Sequence, residues 1–276
     1  MLLWGASAYL SALVPRHLSQ VIGRRLQSFS VVAAAVAVAT TAATLLIETA
    51  VIGEGWGDAL DPAIIRDVLL STSVGQAWQV QAVAALILMA MFAVPTNARQ
   101  GATALGSGFF LSSIALTGHA VMLEGGLGVA ERVNDAVHVL CGGAWLGALV
   151  PFFFILRRLG REEDRREAGL ALMRFSTAGH LVVVLVVASG VINTILTLGS
   201  WPADWSSPYQ ALLASKIGMV TLMVGLATVN RYAFVPWIAR NRSGGLRAIK
   251  LGTVTEIVLG LAVVGLVSVF GILDPT

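Results

Sequence analysis

Blocks of roughly twenty apolar residues recur along the chain, each long enough, at ~1.5 Å rise per residue, to cross a ~30 Å hydrocarbon layer as a helix. Seven of them run over residues 29–47, 74–94, 102–123, 133–156, 175–198, 209–229 and 251–272, separated by charged or Gly/Pro-containing breaks. With 57% of residues hydrophobic and 12% charged, the apolar surface exceeds what a single water-soluble core could hide. The fold expected is an all-α, polytopic transmembrane helix bundle, read as a single integral-membrane domain over residues 1–276. Residues 2–14 are apolar but reach only about two-thirds of the length a span requires. No basic residue precedes them and Arg16 follows, the reverse of a cleavable signal peptide. We read this piece as the inner part of a shortened first span, for about eight spans in all.

Orientation follows from the Lys and Arg of the short connections. They lie at Arg16, Arg24 and Arg25, at Arg99, from Arg157 to Arg174, and from Arg231 to Lys250; the opposite loops hold only Arg66 and Arg132. The first set is expected in the cytoplasm, which puts both termini on the outer side of the membrane. Acids such as Glu54, Asp58, Glu131, Asp135, Asp204 and Asp274 gather in the outer loops on this reading. A sequence pI near 9.5 does not point to nucleic acid, because the basic residues sit between apolar blocks rather than along one soluble face. No loop is long enough for a soluble catalytic domain, and no Walker phosphate loop, Rossmann glycine fingerprint, Cys-x-x-Cys or His-Glu-x-x-His occurs. Any chemistry is therefore expected in or at the membrane, and ATP-driven pumping by this chain alone is not expected. The lone cysteine, Cys141, excludes an intramolecular disulfide.

Ionisable residues inside spans are costly and mark function more often than loop residues do. His119 and His138 are expected on antiparallel neighbours at matched depth, near the outer side. Each has a sulfur three residues on, in His119-x-x-Met122 and His138-x-x-Cys141, which places both members on one helical face. Imidazole, thioether and thiolate together suit Cu(I). The same histidines fit interfacial hydrogen-bonding roles, and Cys141 fits a small packing residue. Lys216, Met219 and Met223 follow i, i+3, i+7 along one stripe; the methionines fit core filling or transient soft-metal sites, and Lys216 an interior pair or an outward-reaching amine. Asn193 lies at comparable depth. Glu256 enters from the inner side, and His180 reads as a satisfied interior histidine.

Several of these residues fall in a pattern that resembles the copper resistance protein D (CopD) family. It comprises Thr117-Gly118-His119, His138 ahead of Trp145-Leu146-Gly147 and Pro151, Phe175-Ser176, Ser189-Gly190-Val191-Ile192-Asn193, Tyr209 with Leu212-Leu213 and Lys216, and Asn230-Arg231. The resemblance is strongest over 117–231. It implies an inner-membrane protein of copper homeostasis that moves copper from the periplasmic side toward the cytoplasm, and it carries over to His119, His138, Trp145, Asn193 and Lys216. Cys141 departs from the pattern, which usually has a small residue there. No extracellular copper-binding domain is appended, so a separate periplasmic copper carrier is an expected partner beside the copper ion and membrane lipid. The region of the fifth to seventh spans is also similar to HemJ-type protoporphyrinogen oxidases. That similarity makes haem the alternative cofactor and a membrane oxidoreductase the alternative activity. Lys216 would then meet a propionate or an anionic substrate, and histidines on facing helices serve as axial ligands as readily as copper ligands.

Overall fold

The computed structural model describes residues 1–117, 125–199, 201–202, 204–271 and 273. Its regular elements are all helical: α1 (Leu2–Ala12), α2 (Arg16–Ile52), α3 (Pro62–Ser71), α4 (Ser73–Ala90), α5 (Arg99–Ser113), α6 (Gly125–Arg158), α7 (Arg165–Leu198), α8 (Pro208–Val229), α9 (Val235–Arg240) and α10 (Arg242–Phe270). Short 3-10 turns lie at Asp58–Leu60, Met91–Ala93 and Ile114–Leu116, and a π-helical turn at Asn230–Phe234 joins α8 to α9. Among the described residues, six helical segments are long and apolar enough to span a membrane: α2, α4 with its 3-10 turn, α6, α7, the α8–α9 rod and α10. α1 and α5 are shorter, with 11 and 15 residues. Large apolar side chains such as Val32, Leu86, Leu181, Leu222 and Leu261 point outward. In water they would form an untenable apolar surface, whereas lipid solvates them.

Local chemistry fixes where the helices start and stop. Asp61, Thr72, Ser207 and Asn241 each accept a hydrogen bond from a backbone N–H of the helix that follows, and proline occupies the first turn of α3 and α8. α7 ends on Gly199 at φ 64°, the left-handed position that glycine fills without a Cβ clash. In the next connection the Asp204 carboxylate accepts from the Ser206 hydroxyl and backbone N–H, which holds its carboxyl below the ordinary carboxylate range.

Four helices, α2, α6, α7 and α10, begin well before the apolar blocks that hydropathy marks. α2 starts at Arg16 because Leu18, Ile22 and Leu26, spaced by four, bury one face against α6 and α7 while Arg24 and Arg25 stay outside. α6 starts at Gly125, so Glu131 and Asp135, expected in an outer loop, are helical residues, with Glu131 buried.

α6 is the hub, packed by α1, α7 and α10 on different faces. The α1 contact depends on missing side chains. A Cβ on Gly5 would collide with the Gly143 carbonyl and lie 2.7 Å from the Gly147 Cα, and a Cβ on Gly147 would lie 2.9 Å from the Gly5 Cα. Bare backbone on both helices brings them to close van der Waals contact, the small-residue packing that substitutes in lipid for the hydrophobic effect. Trp4 Nε1 donates to the Leu140 carbonyl at 2.8 Å, and Tyr9 OH donates to the Ala171 carbonyl at 3.2 Å, tying α1 to α6 and α7. Tyr9 also meets the Phe175 ring edge-on at 5.2 Å between centroids.

Gly147→Val tests this interface, because the new side chain must displace α1. The expected result is a loss of about 1–3 kcal/mol of stability, read as a lower thermal midpoint in detergent, with Gly169→Val, at a glycine that has open space around it, as the unaffected comparison.

Candidate functional site

Two of the residues singled out for chemistry, His138 and Asn193, meet where α6 faces α7. One turn of α6 supplies Asn134, Asp135 and His138, and α7 supplies Val186, Ser189 and Asn193. Asn134 Nδ2 donates to Asn193 Oδ1 at 2.5 Å and to the Ser189 carbonyl at 2.9 Å, and Asn193 Nδ2 donates to Asp135 Oδ1 at 3.1 Å. The Asn193 amide is therefore used at both ends. Lys216 of α8, half-buried, lies within electrostatic range of both Asp135 and His138, so its ammonium is matched by a carboxylate held on α6.

His138 has a defined tautomer. Its Nδ1 lies 3.1 Å from the Val186 carbonyl and 3.0 Å from Ser189 Oγ. The Ser189 hydroxyl donates to the Leu185 carbonyl at 2.6 Å, and a carbonyl only accepts, so the proton between His138 and α7 belongs to Nδ1. Nε2 keeps its lone pair, and among the described residues nothing hydrogen-bonds to it. An imidazole anchored through Nδ1–H to a backbone carbonyl, with Nε2 free, has the orientation that metal-ligating histidines adopt. The close approach requires Gly190, where a Cβ would sit 3.1 Å from His138 Cε1.

Along α6 from His138, chemistry changes from polar to soft. Cys141 packs against a buried cluster of Trp145, Leu149, Val186 and Met223, with Cys141 itself partly buried. Met223 is thus on the same side of α8 as the cluster, while Met219 is half-buried. Beyond the sulfurs, the Glu256 carboxylate accepts from Asn230 Nδ2 at 2.7 Å, with Trp145 close by. Glu256 is 4% exposed. Asn230 opens the π turn after α8, and it fits because Gly252 has no side chain: a Cβ there would clash with both ends of the Asn230 amide. Among the described residues Asn230 Oδ1 has no hydrogen-bond partner although it is buried. π turns of this kind recur at functional positions.

Other expected residues stand apart. His119 and Met122 lie outside the described residues, so the facing-histidine arrangement is not described here. Among the described residues no group of three or more His, Cys, Asp or Glu is poised around a metal-sized site. His180 is satisfied, with Nδ1 at 2.8 Å from the Ser176 carbonyl and Nε2 at 3.1 Å from Tyr232 OH, but it is exposed on the bundle surface rather than interior. Asn134, Asp135 and Ser189 were not singled out from the sequence for the site. The signal was available: Glu131, Asn134 or Asp135, His138, Cys141 and Trp145 recur at three- to four-residue spacing on one face.

A multi-pass inner-membrane helix bundle with a hydrogen-bonded polar centre between its helices is the class that this fold defines. Within that class the chain belongs to the copper resistance protein D family. The copper resistance protein D-like N-terminal domain matches residues 1–129, and copper resistance protein D matches residues 169–270. The chain is 31% identical over 276 residues to inner membrane protein YebZ of Escherichia coli (strain K12), covering 100% of this chain and 94% of that protein. It is 31% identical over 221 residues to copper resistance protein D of Pseudomonas syringae pv. tomato, covering 75% and 71% of the two chains. It is also 27% identical over 226 residues to copper transport protein CutJ of Bacillus subtilis (strain 168), covering 79% of this chain and 40% of that one. No solved structure matches it.

Asn193→Leu tests the cluster as a unit. Leucine is close in size but leaves Asn134 and Asp135 each short of a partner, so stability should fall by about 1–3 kcal/mol in detergent melting. Asn193→Asp, which keeps an acceptor for Asn134 but sets a second carboxylate beside Asp135, should be at least as damaging.

Proposed function

We propose that this protein takes up copper at the end of the bundle opposite the arginine-rich loops and passes it toward the cytoplasm, with His138 as a ligand at the entry. The supporting observation is the fixed imidazole: Nδ1 is held by Val186 and Ser189, so Nε2 is presented for a metal without further rotamer cost. His119 and Met122 supply the remaining ligands from the segment that precedes α6. Inward of His138, the Cys141 thiol and the Met223 thioether offer soft donors in an apolar setting, suited to Cu(I), and Met219 a transient one. Asn193 and Asp135 hold Lys216 in check, so that its charge does not oppose an entering cation. Asn230 positions Glu256 at the far end of the path, beside Trp145. The copper ion comes from a separate periplasmic carrier, and the protein acts as a transporter rather than an enzyme. The C-terminus lies outside, and α1 and α5 complete eight membrane-embedded helices.

Copper uptake into proteoliposomes under reducing conditions tests the reading. His138→Ala should lower uptake about tenfold or more, as loss of a metal ligand does, and Ser189→Ala should lower it less because the Val186 carbonyl still holds Nδ1. Wild-type uptake in His138→Ala would contradict the assignment.

A haem-binding oxidoreductase is the second reading, favoured by one specific observation: Lys216 is brought within electrostatic range of His138, so an axial imidazole and a cation for a propionate or anionic substrate would stand on neighbouring helices. The absorption spectrum of purified protein separates the two. Copper transport predicts no Soret band, and a band abolished by His138→Ala would establish haem instead.

A further inference from the structure

At the arginine-rich end, a recess of about 160 Å³ lies between α2 and α6, lined by Ile22, Arg25, Phe154, Arg157, Arg158 and Arg161. Four guanidiniums thus share one small pocket. Arg158 is paired with Asp164 at 2.9 Å, and Arg25 lies over the Phe154 ring at 4.9 Å, but neither contact neutralises Arg25, Arg157 or Arg161. Like charges held this close repel one another unless an anion bridges them, and planar guanidiniums match phosphate oxygens in pairs.

The pocket also has a direction. From Arg25 the residues Phe29, Val32 and Val36 follow at i+4, i+7 and i+11, one stripe of α2, and all three are exposed on the outside of the bundle. A basic recess that opens onto a continuous apolar track fits a molecule that is anionic at one end and hydrocarbon at the other. A free phosphate would use only the first half of that surface. The recess lies where α2 and α6 leave their apolar segments, the depth at which phospholipid headgroups sit.

We propose that this recess binds the phosphodiester headgroup of an anionic phospholipid, with Arg25, Arg157 and Arg161 on the phosphate and the acyl chains along Phe29, Val32 and Val36. The site is independent of the copper reading, since none of its residues belongs to the His138 cluster. It ties the α2–α6 contact to the composition of the surrounding leaflet.

The test is thermal unfolding of the full chain in a neutral detergent, titrated with phosphatidylglycerol, phosphatidylcholine or inorganic phosphate. Phosphatidylglycerol should raise the midpoint saturably, and the other two should not. In Arg25→Gln/Arg157→Gln/Arg161→Gln the apparent affinity for phosphatidylglycerol should fall about tenfold or more. Arg165→Gln/Arg166→Gln, which removes charge just beyond the pocket, should keep most of it. Should the triple variant not fold, Arg161→Gln alone should still weaken binding, its side chain being exposed and free of buried contacts. Equal losses in the two multiple variants would mean diffuse attraction to basic loops and would overturn the proposal. Stabilisation by inorganic phosphate equal to that by the lipid would overturn it too, by assigning the recess to a free anion.

Discussion

The bundle depends on what α6 presents to its neighbours. On one face Gly143 and Gly147 expose bare backbone, and Gly5 of α1 meets them so closely that no side chain can intervene. On another face Asn134, Asp135 and His138 offer hydrogen-bonding groups, and Ser189 and Asn193 of α7 answer them. In lipid, association gains little from hiding apolar surface, so backbone proximity and interhelical hydrogen bonds must specify which helices touch. α6 uses both devices, and the arrangement of α1 and α7 around it follows.

The same economy explains why a polar cluster can exist inside an apolar bundle. Each buried amide or charge costs free energy unless it is paired, and the cost rises steeply for an isolated ion. Asn193 relieves Asn134 and Asp135 at once, Asp135 stands opposite Lys216, and the Val186 carbonyl takes the His138 proton. Among the described residues, the Nε2 lone pair of His138 and, further along, the buried Oδ1 of Asn230 have no hydrogen-bond partner. Unused valence in an otherwise satisfied network is where a ligand gains most.

Much of this was legible in the sequence because membrane helices declare themselves by length and apolarity. The blocks at 133–156 and 175–198 lie inside α6 and α7, and the piece at 2–14 became α1, packed beside the Arg158-side half of α6. The i,i+3,i+7 stripe from Lys216 to Met223 holds because α8 is unbroken through it, and it brings Met223 to Trp145 and Cys141. Asp135 was misread as a loop acid because hydropathy drops at Asn134 and Asp135, and hydropathy cannot register that Asn193 waits on another helix to pair with them. His180 was expected inside because it is polar in an apolar block, yet Ser176 and Tyr232 satisfy it at the surface. Both errors have one cause: single-residue polarity measures the cost of burial, whereas position is decided by the partner.

The central claim is that a pre-oriented His138, with soft donors close inward of it, forms a copper site in the membrane. X-ray absorption at the copper edge, on purified protein loaded with one equivalent of Cu(I), addresses it directly. The account predicts a first shell of mixed nitrogen and sulfur, which loses a nitrogen scatterer in His138→Ala. A shell of oxygen and nitrogen alone, or one unchanged by that substitution, would contradict it.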